Sequence, residues 1–312
     1  MKNYRKKFNI GRYNSIGIRL YGFHRLLRSK KTLGMLFVLP AVVVLVLVFV
    51  YPLVYNADLS LSEWRLAIGE EKHYVGLSNY SYNFSDPLFH KVLKNTLVFT
   101  AVSVPLEIVI GLGLALLISR KIRGRSIFLA ILILPMMVAP VIVGLTWRWL
   151  YAWDYGLINP LIGVFGVGSI NWLADPSIAM FSVIIADVWA MVPFVFLFCY
   201  AGLRMVPRER YESAEIDGVS SWQKFRHVTL PSIKGILMIA VLIRAMDAFT
   251  KLFDVVYTLT GGGPAYATEV LPVYTYRVAL QFFRLGKGAS IAMITLFVTI
   301  IMISIIWKMT KR

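Results

Sequence analysis

The stretch Leu33–Tyr55 reads LGMLFVLPAVVVLVLVFVYPLVY, 23 residues without a charged side chain. As an α-helix rising about 1.5 Å per residue, it covers the roughly 30 Å of hydrocarbon in a bilayer. It is longer than the apolar core of a secretion signal, and no small-residue cleavage site follows, so it reads as a retained anchor. Five more apolar runs lie near Val92–Ile118, Ile127–Leu150, Ile178–Leu203, Gly235–Tyr257 and Ala289–Trp307. In lipid every backbone amide must find its partner within the protein, which a helix of this length achieves by itself. The expected fold is an all-α membrane protein with six transmembrane helices.

Composition supports that class and excludes others. Hydrophobic residues make up 58% of the 312, and the mean hydropathy is +0.69, beyond the usage of soluble domains. One cysteine, Cys199, leaves no intrachain disulfide. The four histidines are scattered, with no cysteine or carboxylate at ligand spacing, so no metal site is expected. The segment TGGGP at Thr260–Pro264 is glycine-rich but lacks the Gly-Lys-Ser/Thr of a nucleotide-binding loop. No Ser/His/Asp set or paired acid site is apparent, which argues against a catalytic chain. A membrane-embedded transferase would need such a cluster at a membrane face. A self-sufficient channel or ion-driven carrier would not, and stays open on composition alone.

The net charge of +17 fits a nucleic-acid partner in magnitude but not in distribution. If the N-terminus lies inside, the inner segments 1–32, 119–126, 204–234 and 308–312 hold ten, four, six and three Lys/Arg. The outer segments 56–91, 151–177 and 257–288 hold three, none and three. A split of 23 to 6 places both termini in the cytoplasm by the positive-inside rule. The basic arm 1–32 then meets anionic lipid headgroups rather than nucleic acid, and GIRLYGFHRLLRSKK within it has the spacing of a short interfacial helix. The expected organisation is the arm 1–32, a six-helix domain 33–307 with an inner loop at 204–234, and a tail 308–312. Trp64, Trp147, Trp149, Trp153 and Trp172 gather near the outer boundary, as an aromatic belt does.

The inner loop holds YESAEIDGVSSWQKFRHVTLP, Tyr211–Pro231. Pro207 suits a first helical turn, and Glu209, Glu212 and Glu215 favour the N-terminal half of the helix that follows. Gly218 supplies a left-handed stop. Ser220 to Gln223 reads as a capping box opening a second helix, on which Trp222 and Phe225 share a face. Pro231 is expected to close that helix before the next span. Two uses are open to such a bracket: an amphipathic hairpin on the lipid surface, or a docking knob whose large aromatics suit a protein interface.

The same stretch resembles the EAA loop of binding-protein-dependent ABC importers, a pattern of EAA, three residues, Gly, nine residues, then Ile-x-Leu-Pro. Here it reads Glu212-Ser213-Ala214, Gly218 and Val228-Thr229-Leu230-Pro231 with both gaps kept; Ser replaces the second residue of EAA and Val replaces the Ile. WAMVPF at Trp189–Phe194, AGLRMVP at Ala201–Pro207, YTLTGGGP at Tyr257–Pro264 and FVYPLVYNADLSLSEW after the first span are similar to the carbohydrate branch, the maltose and glycerol-phosphate type of permease. The likeness covers about Leu33–Trp307.

The resemblance implies a type I importer permease of the bacterial inner membrane. Such a chain pairs with a second homologous permease, two cytoplasmic ATPases and an extracytoplasmic solute-binding protein, and it moves a sugar. It binds no cofactor of its own; ATP and Mg are used by the ATPases. The coupling residues would be Glu212, Ser213, Ala214, Asp217, Gly218, Trp222, Phe225, Leu230 and Pro231, with Glu212 meeting a basic residue of the ATPase groove.

Ionisable residues within spans mark functional positions. Arg244, Asp247, Lys251 and Asp254 follow one another at steps of three, four and three, the spacing of one helical face. They either neutralise one another along that helix or border the sugar pathway, where Phe249 and Phe253 would stack on a ring. Asp187 and Trp189 are further pathway candidates. Glu107, near Pro105, is expected to make a packing or gating contact.

Overall fold

The computed structural model describes residues 30–66, 69, 71–119 and 123–310. Almost all of the basic arm and the last two residues lie outside them, so the interfacial helix expected in the arm does too. The described chain falls into two units, divided between Asp58 and Leu59. In the first, α1 (Lys30–Leu45) continues through a π turn at Val46–Val50 into α2 (Tyr51–Ser60), whose last two residues belong to the second unit. The whole forms an apolar helix, Gly34–Ser60, long enough to cross a membrane.

The second unit begins with a two-stranded antiparallel ribbon, β1 (Ser62–Glu63) and β2 (His73–Tyr74), and a short helix, α3 (Ser78–Ser85). Helix α4 (Pro87–Ser119) is the second span. The third is made of α5 (Arg125–Ile133) with a 3₁₀ turn at Leu134–Met137, then α6 (Pro140–Leu150). After α7 (Ile158–Gly163) come α8 (Ala179–Met205), the fourth span, and α9 (Arg208–Ile216). Next, α10 (Ser221–Lys224), a π turn at Phe225–Thr229 and α11 (Leu230–Thr250) run on as one helix. The chain ends with α12 (Phe253–Leu259), α13 (Leu271–Tyr276), a π turn at Arg277–Gln281 and α14 (Leu285–Thr310).

Among the described residues, five helices have the length and apolarity to span a membrane, and the α5–α6 pair, bent by 96°, brings the number to six when its two halves are counted as one broken span. The bend falls inside the apolar run Ile127–Leu150, where the sequence places Pro135 and Pro140. Its cause is local. Pro140 forces Ala139 out of the helical region, to φ −59 and ψ 138. The ring then sits at the first position of α6, where its missing N–H costs nothing. Pro105 and Pro193, by contrast, lie inside continuous helices.

The fifth span also differs from Gly235–Tyr257. It starts at Ser221 and ends at Thr250, and Tyr257 belongs to the separate α12. Pro231 does not close a helix as expected. It lies in the first turn of α11, and the widened turn before it, with Leu230 N–H bonding to Phe225 C=O, makes room for its ring. At the other end, α14 reaches Thr310, so the expected tail at 308–312 begins inside a helix.

The core lies between the long helices. Phe99 and Val104 of α4, Val183 and Ala186 of α8 and Val255 and Val256 of α12 share one buried cluster. A second joins Ala115 and Ile118 to Val195, Phe196 and Cys199, and to Ile233 on α11. Phe89, Val92, Phe249, Leu271 and Ile291 form the third, around α14. This interdigitation fixes where α11 stands, and with it the bracket at its start.

Candidate functional site

The bracket is built as the sequence predicts, apart from its two prolines. Pro207 is the residue flanking α9 rather than its first turn, and Glu209 lies in that turn beside the helix's positive end. The chain leaves α9 through Gly218 at φ +68, a left-handed conformation that a residue with a Cβ adopts only under strain. Ser220 Oγ accepts from Gln223 N–H at 3.3 Å while Gln223 Oε1 accepts from Ser220 N–H at 2.8 Å, completing the capping box.

Side chains then fix the bracket to the span. Lys224 Nζ donates to Glu215 Oε1 at 2.6 Å, Tyr211 and Thr229 hydroxyls meet at 3.3 Å, and Arg210 Nη1 donates to Ser232 Oγ at 3.1 Å. Trp222 and Phe225 lie 5.5 Å apart between ring centroids. Ala214 is buried inside the bracket, whereas Glu212, Ser213, Asp217 and Gly218 are exposed. Trp222 is 67% exposed and Ile216 86%. Leu230 stands half-buried at its base and Pro231 is exposed. The bracket therefore offers an exposed carboxylate and large apolar side chains on a support that moves with the fifth span.

The charged residues within the spans do not form one stripe. Arg244 makes its hydrogen bonds to residues of other helices rather than to Asp247. Its Nε and Nη2 donate to Glu107 at 2.6 and 2.8 Å, and Nη2 also donates to Asp187 at 2.9 Å, joining α11 to α4 and α8. All three side chains are buried, so Glu107 makes the packing contact expected of it and Asp187 is a structural partner in this arrangement. Lys251 and Asp247 do pair, at 2.9 Å, with the lysine side chain 70% exposed. Asp254 is displaced from that face because α11 stops at Thr250, and it lies in the first turn of α12.

Phe249 is fully buried in the core around α14 and cannot stack on a ring in this arrangement. Phe253 is better placed. It stacks on Tyr257 at 5.0 Å, with Tyr276 edge-on to both at 5.1 and 5.4 Å, and Gln281 Nε2 donates to Tyr257 Oη at 3.3 Å. Trp189 meets Trp147 edge-on at 5.9 Å, in an apolar cleft of about 600 Å³ lined by α4, α5 with its 3₁₀ turn, Trp147 of α6, and α8. These two aromatic groups, with Lys251 and Asp247, are the exposed features of the spans that fit a ring-bearing polar ligand.

Sequence reasoning read TGGGP as a glycine-rich segment without a nucleotide-binding signature and as part of the permease resemblance, and missed what it covers. Glu269 is fully buried beneath it, and Arg277 Nη2 reaches both its Oε2, at 3.0 Å, and the carbonyl of Gly261, at 2.6 Å. A Cβ at Gly262 would collide with the Glu269 carboxyl, so the loop closes only over a glycine. Thr268 Oγ1 donates to Gly263 C=O at 2.6 Å, and Asn95 on α4 holds the Tyr266 and Glu269 carbonyls at 3.0 Å. Burial pushes the Glu269 carboxyl up to about 7, against the pull of Arg277. The available signal was Glu269 itself, the only charged residue between Val255 and Tyr276.

Known proteins repeat this arrangement of spans. A bacterial alginate ABC transporter, solved in complex with an alginate pentasaccharide-bound periplasmic protein, superposes with a TM-score of 0.80 over 93% of this chain and 97% of its own, at 21% identity. That likeness carries the fold. Closer in sequence, the trehalose/maltose transport system permease protein MalF of Thermococcus litoralis is 36% identical over 283 residues, 90% of this chain and 94% of the relative. The diacetylchitobiose uptake system permease protein DasB of Streptomyces coelicolor is 33% identical over 84% of this chain and 82% of its own. From Glu107, the acid that holds Arg244, through residue 309, the sequence matches the family described as the binding-protein-dependent transport system inner membrane component, and the chain belongs to that family as a multi-pass membrane protein.

Proposed function

We propose that this chain is one of two transmembrane subunits of an ATP-driven importer for an oligosaccharide, neutral or uronic. The observation that carries the reading is the bracket: an exposed Glu212 on α9, joined through a left-handed Gly218 and a capping box to an exposed Trp222 on the helix that runs on as the fifth span. A knob rigidly joined to a membrane helix transmits force from a docked partner; a hairpin lying on lipid has no need of that connection. In this reading the bracket faces the cytoplasm and docks on an ABC ATPase, which supplies ATP and Mg chemistry. A sister permease completes the pathway, and a solute-binding protein delivers the sugar from the other side. The saccharide class is supported by the relatives, whose names specify trehalose or maltose and diacetylchitobiose. It is also supported by the aromatic and charged groups at Phe253, Tyr257, Trp189, Asp247 and Lys251.

The test is co-purification of the ATPase with the permease pair, measured beside sugar uptake. Gly218→Val and Glu212→Arg should each lose ATPase and uptake while membrane insertion stays normal; an interfacial charge pair broken on one side costs about 2–5 kcal/mol. A Gly218→Val protein that keeps its ATPase and its uptake would show that the bracket is not the coupling element.

A further inference from the structure

Between α6 and α8, residues 155–174 contain no Asp, Glu, Lys, Arg or His. We infer that α7 and the turn after it insert their outward face into the bilayer leaflet bordering this loop, as a lipid-facing anchor beside the broken third span. The segment is folded. Asn159 is buried, donates to the Ile170 carbonyl at 3.1 Å, and accepts from Ile170 N–H at 3.1 Å and Trp172 Nε1 at 2.9 Å. Ile158 and Trp172 pack on the core cluster that holds α8.

The other face is apolar as well. Leu157, Leu161 and Val164 follow at steps of four and three from the start of α7 to the residue that ends it, and Phe165 comes next in the turn that follows. Leu161 is 63% exposed, Val164 81% and Phe165 83%. A short helix that packs one apolar face on protein and turns the other outward needs an apolar medium on that side.

Several observations favour lipid as that medium. The segment leaves α6 at Leu150 and leads into the fourth span at Ala179, so it borders the bilayer on the side where that span begins. Trp149, Trp153 and Tyr155, which lead into it, are 58%, 54% and 62% exposed, and rings of this kind settle at the headgroup level. A protein-docking surface carries a polar, partly charged rim, and here 20 successive residues provide no charge. Free interfacial helices need a charged face towards water. This one does not, because its second face is covered by the protein. The inference rests on the membrane assignment alone, so it survives or fails independently of which solute is carried.

The test uses the full transporter, reconstituted in vesicles of mixed zwitterionic and anionic phospholipid. Phe165→Cys and, separately, Val164→Cys would carry an environment-sensitive fluorophore, with Lys72→Cys in the ribbon's loop as the aqueous comparison; the natural Cys199 is buried. The expected result at both anchor sites is a blue-shifted emission. It should be lost to a nitroxide placed high on the lipid acyl chain and insensitive to aqueous iodide, with the opposite pattern at position 72. Iodide quenching equal to that at position 72 would overturn the inference in favour of a water-facing loop. Protection from both quenchers would overturn it in favour of a protein partner.

Discussion

Arg244 holds Glu107 through two hydrogen bonds, at 2.6 and 2.8 Å, across 137 residues of sequence. Its third bond, to Asp187, makes one guanidinium the meeting point of the second, fourth and fifth spans. The fifth span is also the helix that carries the bracket. Displacement of the bracket along the helix axis is therefore passed to two other spans through bonds that are costly to break in a buried setting.

The first prediction follows from that cost. Arg244→Met leaves two buried carboxylates without their cation, and breaking a buried ion pair on one side costs about 3–5 kcal/mol. The purified complex should melt at a lower temperature and assemble in lower yield. Arg244→Lys should recover only part of the loss, because an ammonium cannot reproduce the two-pronged contact with Glu107. An Arg244→Met protein that melts with its parent would mean that the cluster does not hold the helices together.

The Asp247–Lys251 pair should behave differently. With the lysine side chain 70% exposed in this chain, the pair resembles a surface ion pair, worth at most about 1 kcal/mol. Asp247→Asn combined with Lys251→Gln should leave melting and assembly nearly unchanged while reducing sugar uptake and sugar-stimulated ATPase activity. Normal uptake in that double variant would remove the pair from the pathway.

Much of this was legible in the sequence, and the exceptions share a physical origin. Uncharged runs locate the spans because a bilayer imposes both length and apolarity, and the capping box and Gly218 are local devices with local signals. Arg244 is the counter-example. Its spacing to Asp247 fits a helical face, but Glu107 and Asp187 come from other helices, and no periodicity within one span records which neighbour it meets. The end of α11 at Thr250 was hidden for a similar reason. Lys251-Leu-Phe-Asp254 is compatible with helix, and the break is set by how α12 packs into the core rather than by a Gly or Pro. The buried Glu269 depends on a loop folding back over it, which the glycine run permits without revealing what lies beneath.

A further variant tests the aromatic group. Phe253→Ala removes the ring stacked on Tyr257 without touching an ion pair. If the Phe253–Tyr257–Tyr276 cluster receives a sugar face, the half-saturating sugar concentration for uptake should rise, by about tenfold for the loss of one aromatic contact of ~1.5 kcal/mol. Basal ATPase activity and assembly should be retained. An unchanged concentration dependence would place the sugar elsewhere, with the Trp147–Trp189 cleft as the next position to test.

The loop over Glu269 should respond to pH, and the sign can be worked out. The folded chain raises this carboxyl from its ordinary 4.5 to about 7, mainly through burial. Between those two values the folded state holds a proton that the opened state releases, so opening becomes easier as pH rises and the loop tightens as pH falls. Burial disfavours the ionised carboxylate more strongly than Arg277 favours it. Hydrogen exchange of the amides from Gly261 to Thr268, corrected for the intrinsic pH dependence of exchange, should therefore slow as pH is lowered through about 7 towards 4.5. Glu269→Gln keeps the shape and cannot ionise; its exchange should stay slow and flat across that range. The same corrected pH slope in Glu269→Gln as in the parent would show that the titrating group lies elsewhere. Gly262→Ala provides the steric counterpart, since its Cβ would run into the carboxyl and should leave the loop open at every pH.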